Sequence, residues 1–215
     1  MRFVGKFKIQ PSNKFSLASH ASIGFECLDR DLFDPEQCYD LLQQSGVKYA
    51  RVQTGWVKCE TQKGVYNFEW LDSIVDNLLQ RGIQPWFNVG FGNTLYMPDS
   101  QTPSAVGQVP ICYGPEVLEA WENYAAALAK HYKTRVTYEI WNEPDLVNFW
   151  APGKSNPLEY AEMVNLTAAA ILKHHKSAKI GACMSEAFPS SSEHDKDYFW
   201  DFAANVSRLD FFSYH

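Results

Sequence analysis

The chain has 215 residues, enough for one well-buried domain and somewhat short of the roughly 250 that a full (β/α)8 barrel usually takes. Hydrophobic content of 46% and charged content of 20% are ordinary for a globular protein. A net charge of −6, with no basic run, argues against a nucleic-acid partner. No apolar run approaches the roughly 20 residues of a membrane span. The start, Met1-Arg2-Phe3-Val4-Gly5-Lys6, lacks the apolar centre of a secretory signal. The expectation is a soluble, cytoplasmic protein with no membrane partner.

In chain order, residues 1–20 alternate weakly at Phe3, Phe7 and Ile9 and read as a short N-terminal strand or hairpin segment. The domain proper is expected over 21–215. Its first strand is Ser22 to Leu28. Asp34-Pro35-Glu36 opens a helix with a cap-type aspartate and proline at the first position, and Ser45-Gly46 closes it. Val47 to Gln53 is a second strand. Leu71, Ile74, Val75, Leu78 and Leu79 mark a one-faced helix over Trp70 to Gln80, stopped by Arg81-Gly82. Ile83 to Val89 is a third strand. Gly90 to Gly114, rich in Gly, Pro and Ser, reads as a long loop of the kind that forms lids or substrate walls. Pro115-Glu116 begins the next helix, with Val117, Trp121, Tyr124 and Leu128 on one face.

Val136 to Trp141 is a fourth strand, stopped at Asn142-Glu143-Pro144 because proline has no N–H for a ladder. Strand parity predicts Glu139, Trp141 and Glu143 on one side. A helix from Asn156-Pro157, a fifth strand at Lys179 to Met184, a helix over about Asp195 to Asn205 and a sixth strand at Leu209 to His215 complete the order.

Strand–helix alternation with right-handed crossovers predicts an α/β fold with a parallel sheet under helices. The first strand is followed by Glu26-Cys27-Leu28-Asp29-Arg30, without the glycines of a dinucleotide-binding turn. Strand ends instead carry Glu26, Arg51, Trp56, Asn88, Asn142, Glu143 and His215. That distribution suits a (β/α)8 TIM barrel, incomplete with six strands, whose site is assembled from many strand ends. The aromatic content of 15%, with seven Trp and eleven Tyr, supplies rings for the core and surfaces on which sugars stack. The five cysteines (Cys27, Cys38, Cys59, Cys112, Cys183) show no C-x-x-C pairing, so neither a disulfide framework nor a zinc site is indicated. Nothing points to a metal or organic cofactor.

Tyr138-Glu139-Ile140-Trp141-Asn142-Glu143-Pro144-Asp145, followed by Phe149-Trp150 and Tyr160, resembles the acid/base segment of glycoside hydrolase family 39. Tyr49-Ala50-Arg51, Tyr66-Asn67-Phe68, Gly82-Ile83-Gln84-Pro85 and Asp210-Phe211-Phe212-Ser213-Tyr214-His215 carry the likeness from about Ile23 to the last residue. The family contains β-xylosidases and α-L-iduronidases within the clan of retaining (β/α)8-barrel glycosidases. The resemblance implies a carbohydrate substrate and a double-displacement mechanism, with Glu143 as general acid/base. It implies that Asn142 holds a sugar hydroxyl, that Arg51 supports the nucleophile, and that His215 lines the site. Gln53 stands where members commonly carry histidine, and Asn88 to Asn93 also departs from the usual pattern; both leave the sugar open.

The clan's nucleophile is a glutamate closing a seventh strand, and only six strands are predicted here. Glu139 is too far along the same strand and reads as an interior charge paired with Arg51. Glu26 and Glu186 read as sugar contacts. The expectation is the front three-quarters of a barrel, cut short or decayed, with little turnover alone. The alternative is a non-catalytic carbohydrate-binding or interaction module derived from such a barrel. Trp56 and Trp150, following strand ends, are expected to stack on sugar; Trp86 and Trp121 are expected in the core. The sequence leaves the oligomeric state open.

Overall fold

A computed structural model describes residues 8–15, 21–100, 102, 104–185 and 197–215. Its six strands are β1 (Ser22–Gly24), β2 (Tyr49–Gln53), β3 (Gln84–Val89), β4 (Thr137–Ile140), β5 (Ile180–Met184) and β6 (Phe211–Tyr214). They form one sheet in chain order, every neighbouring pair parallel. The helices are α1 (Tyr39–Ser45), α2 (Trp56–Cys59), α3 (Glu69–Gln80), α4 (Pro115–Tyr132), α5 (Pro157–His174) and α6 (Tyr198–Asn205).

The sheet is curved, and one side chain records the curvature. Glu139 of β4 accepts hydrogen bonds from Arg51 on β2, Trp86 and Asn88 on β3, and Ser213 on β6. A flat sheet would put β6 about 10 Å from β4, a gap the short serine side chain does not bridge. The concave face is therefore polar, and the convex face meets the helices.

Apolar spacing explains the outer layer. Trp121, Tyr124, Ala125, Leu128, Ala129 and Tyr132 form the buried stripe of α4. Trp121 stands edge-on to Trp56 at 5.6 Å and to Trp141 at 5.9 Å, making the expected core position of Trp121 correct. Helix α5 begins as its sequence predicts: the Asn156 side chain accepts from the N–H of Leu158 at 3.0 Å, with Pro157 next. From α5, the Tyr160 hydroxyl donates to the Ile140 carbonyl at 2.7 Å and accepts from the Cys183 N–H at 3.0 Å, linking β4 to β5.

Two glycines are fixed by close approach. A Cβ on Gly181 of β5 would lie 2.2 Å from the Phe211 ring, which covers it inside the sheet. Gly107, at φ +75°, would put one 2.1 Å from the Asn148 carbonyl oxygen. That contact lets the loop after β3 join the loop after β4, where Val109 N–H donates to Ala151 and Ala151 N–H to Gly107, each at 2.9 Å. The predicted lid loop is thus a packed wall over its described residues, with Phe91, Asn93 and Met97 buried.

Several strands are shorter than expected. Residues 22–28 give only the three residues of β1, since Cys27 turns to φ +66° and Leu28–Arg30 form a 3-10 turn. β4 stops at Ile140, because Trp141 takes φ +67°. The anticipated hairpin over 1–20 lies largely outside the described residues. Within 8–15 the backbone makes a 3-10 turn, Ser12–Lys14, tied down by the Ser12 hydroxyl to the Val47 carbonyl at 2.5 Å. The start of the last helix at Asp195, and Glu186, also lie outside the described residues.

Candidate active site

The site is built where β4 ends. Trp141 and Glu143 both have positive φ, +67° and +45°, a region that costs a non-glycine residue about 1–3 kcal/mol and persists only where the surroundings impose it. The first turn sends Trp141 outward, against Trp121 and Phe91, with its indole N–H on the Phe149 carbonyl at 2.7 Å. The expected common side for Glu139, Trp141 and Glu143 is therefore corrected: simple alternation fails once φ changes sign.

Glu143 projects toward the end of β6, where its Oε1 lies 2.6 Å from His215 Nδ1. Its other oxygen is 3.5 Å from the Asn142 side-chain nitrogen. The carboxylate side chain is 16% exposed and the imidazole 40%, so both remain open to a ligand. On its far side His215 Nε2 is 3.8 Å from Cys183 Sγ. That thiol is fully buried, and burial first, then the Glu139 charge, pushes it up to about 12. It therefore stays a neutral thiol rather than a nucleophile.

Behind this pair lies Arg51. Its Nη1 donates to Glu26 at 2.8 Å, its Nε to Glu139 at 2.9 Å, and its Nη2 to both Glu139 and the Asn142 oxygen, the latter at 2.9 Å. Burial alone would disfavour the guanidinium charge; Glu139 and then Glu26 outweigh it and hold Arg51 more firmly protonated than a free arginine. The interior pairing of Glu139 with Arg51 is as the sequence predicts.

Five of the anticipated site residues thus meet: Glu143, Asn142, Arg51, His215 and Glu26. Three do not offer a surface to a ligand. Trp56 is fully buried, stacked on Tyr96 and Tyr124, with its N–H on Glu60 at 2.5 Å. Trp150 is fully buried against Tyr160, with its N–H on Glu159 at 3.1 Å. The sugar-stacking expectation for both is corrected: Trp56 has Tyr96 and Tyr124 stacked on it, and Trp150 is wholly enclosed with Tyr160 edge-on to it. Asn88 is also fully buried, and its amide is committed to Glu139 at 2.9 Å and the Trp141 carbonyl at 2.5 Å. It supports the site from beneath.

Sequence reasoning missed two participants. Trp86, expected in the core, is half-buried on the concave face and donates to Glu139 at 2.9 Å. Ser213 was not singled out, and its hydroxyl donates to Glu139 at 2.7 Å. The available signal was parity: Trp86 shares a face with Asn88, and a buried carboxylate on the next strand requires donors.

A curved parallel sheet under helices, with ionisable side chains gathered at the strand C-termini, defines a partial α/β barrel of the enzyme type. The comparisons give its family. The model for glycosyl hydrolases family 39 matches residues 31–215, and the chain belongs to that family. A β-xylosidase of Geobacillus stearothermophilus is 30% identical over 133 residues, covering 55% of this chain and 24% of that protein. A β-xylosidase of Caldicellulosiruptor saccharolyticus is 27% identical over 165 residues, covering 68% and 32%. The solved structure of a GH39 β-xylosidase from Caulobacter crescentus superposes with a TM-score of 0.63 at 23% identity, over 98% of this chain and 48% of that one. The six strands are thus those of an incomplete (β/α)8 barrel, and the chain spans a quarter to a third of the length of the two β-xylosidases it matches. Among the described residues, no helix is long and apolar enough to cross a membrane.

Proposed function

We propose that this chain supplies the acid/base half of a retaining glycoside hydrolase site acting on β-xylosides. The observation that carries the reading is the Glu143 carboxyl, partly enclosed at the end of β4 between Asn142 and His215. The two β-xylosidase relatives support the sugar.

An alkoxide leaves poorly, so a carboxylic acid must protonate the glycosidic oxygen and its carboxylate must later take a proton from water. In this reading Glu143 does both. Asn142 bonds a ring hydroxyl, a contact that accelerates the reaction insofar as it strengthens in the oxocarbenium-like state. Retention needs a second carboxyl about 5–5.5 Å from the first. Glu139 does not serve, being fully buried among its donors. Glu26 follows β1, whereas the resemblance implies a nucleophile closing a seventh strand. The nucleophile is accordingly assigned to a glutamate outside these 215 residues.

Titration of the chain with methyl β-xyloside, followed by NMR, should give saturable shifts of the His215 ring protons. Asn142→Ala should weaken that binding about tenfold, the loss of one hydrogen bond of about 1–1.5 kcal/mol. Joined to the missing strands, the chain should hydrolyse alkyl xylosides, and Glu143→Gln should slow this by about 10²–10⁴-fold. Absence of saturable binding by xyloside, glucoside and galactoside alike would overturn the reading.

A further inference from the structure

Glu139 is fully buried on the concave side of the sheet. Its two oxygens collect five hydrogen bonds from three strands: Oε1 accepts from Arg51 Nε, Arg51 Nη2 and Asn88, and Oε2 from Trp86 and Ser213. Such a cluster fills the roughly four lone-pair sites of the carboxylate completely, and it fixes the guanidinium plane through two donors on one oxygen.

The consequence passes to Asn142. Arg51 Nη2, held by Glu139, also donates to an Asn142 side-chain atom. A guanidinium has only donors, so the atom facing it must be the amide oxygen. The amide nitrogen is thereby turned toward Glu143, 3.5 Å from its Oε2. We infer that Glu139 is a positioning residue: acting through Arg51, it locks the Asn142 amide so that the site presents N–H, never C=O, beside the Glu143 carboxyl. A ligand hydroxyl there must accept from Asn142 and keep its own proton for another partner. The inference deepens the glycosidase reading and rests on it for the ligand, but the locked amide itself does not.

Glu139→Gln tests it. A glutamine can offer Arg51 only a neutral amide oxygen, and then sets its own N–H groups against the Trp86 N–H, so the hold on Arg51 weakens. In 15N–1H spectra of the 215-residue chain, the Asn142 side-chain pair, identified by its loss in Asn142→Ala, should be dispersed and slow to exchange. In Glu139→Gln it should collapse toward the position of a free amide, while far-UV circular dichroism persists. Xyloside affinity should fall at least tenfold with it. Ser213→Ala, which removes one donor and leaves the Arg51 contacts, should keep the Asn142 signals in place. Should Glu139→Gln fail to fold, Glu139→Asp decides, since a carboxylate one methylene shorter keeps the acceptor type but draws back from the Arg51 fork while leaving the Arg51–Asn142 pair itself intact: the same collapse is expected. A merely structural Glu139 would lower the melting temperature and leave the Asn142 signals of the folded protein unchanged, and that result overturns the inference. If the native chain binds no sugar but the amide behaves as described, the glycosidase reading fails and the positioning role stands.

Discussion

Asp29 shows what enclosure does to an acid without donors. Neither of its oxygens has a hydrogen bond, and the nearest cation is Arg30, with Nε 3.7 Å away. Burial raises its pKa above 3.8, only partly offset by Arg30. An acid whose folded value exceeds its unfolded one binds protons more tightly when folded, so its charge destabilises as pH rises through that interval. Asp29→Asn is therefore expected to raise the melting temperature at pH 7 and to lose that advantage near pH 3; no difference at pH 7 would contradict it. At this scale the sequence was informative where chemistry is consecutive. Asn142 and Glu143 are neighbours, and Arg51 within β2 and His215 just after β6 belong to the same sheet. It misled at Trp56 and Trp150, because following a strand end does not say which face an indole turns to. It misled at Asn88 because its amide is committed to the buried Glu139 and the Trp141 carbonyl.

Among elements, most helices were readable from apolar spacing and caps, as Asn156 and Gly46 illustrate, but the short α2 was not, and Asp34-Pro35 opens a 3-10 turn ahead of α1 rather than α1 itself. Strand ends were not: the sign changes of φ at Cys27 and Trp141 fall on ordinary side chains, and tertiary contacts impose them. The joint between α5, β4 and β5 is a case that no local pattern announces. Tyr160→Phe would leave the Ile140 carbonyl without its hydroxyl and the Cys183 N–H without its acceptor. The expected cost is about 1–3 kcal/mol in urea unfolding, and a change within experimental error would remove the joint's importance.

For the whole molecule, alternation of strands and helices was enough to give the sheet order. Within the described residues β1 and β6 each pair on one side only. Near these edges Ile23 and Trp200 are 38% and 58% exposed. Unpaired strand edges with apolar neighbours invite association. Light scattering of the chain should rise with concentration, and Ile23→Lys with Trp200→Lys should suppress the rise at unchanged circular dichroism; unaltered scattering would count against this account. One joint of that sheet is carried by a side chain. The Tyr160 hydroxyl bridges the Ile140 carbonyl and the Cys183 N–H where the β4–β5 pairing ends. A phenol reaching in from α5 thus fastens the helical layer to the sheet two residues before Asn142, so that whatever loosens α5 should also loosen the platform on which Glu143 stands.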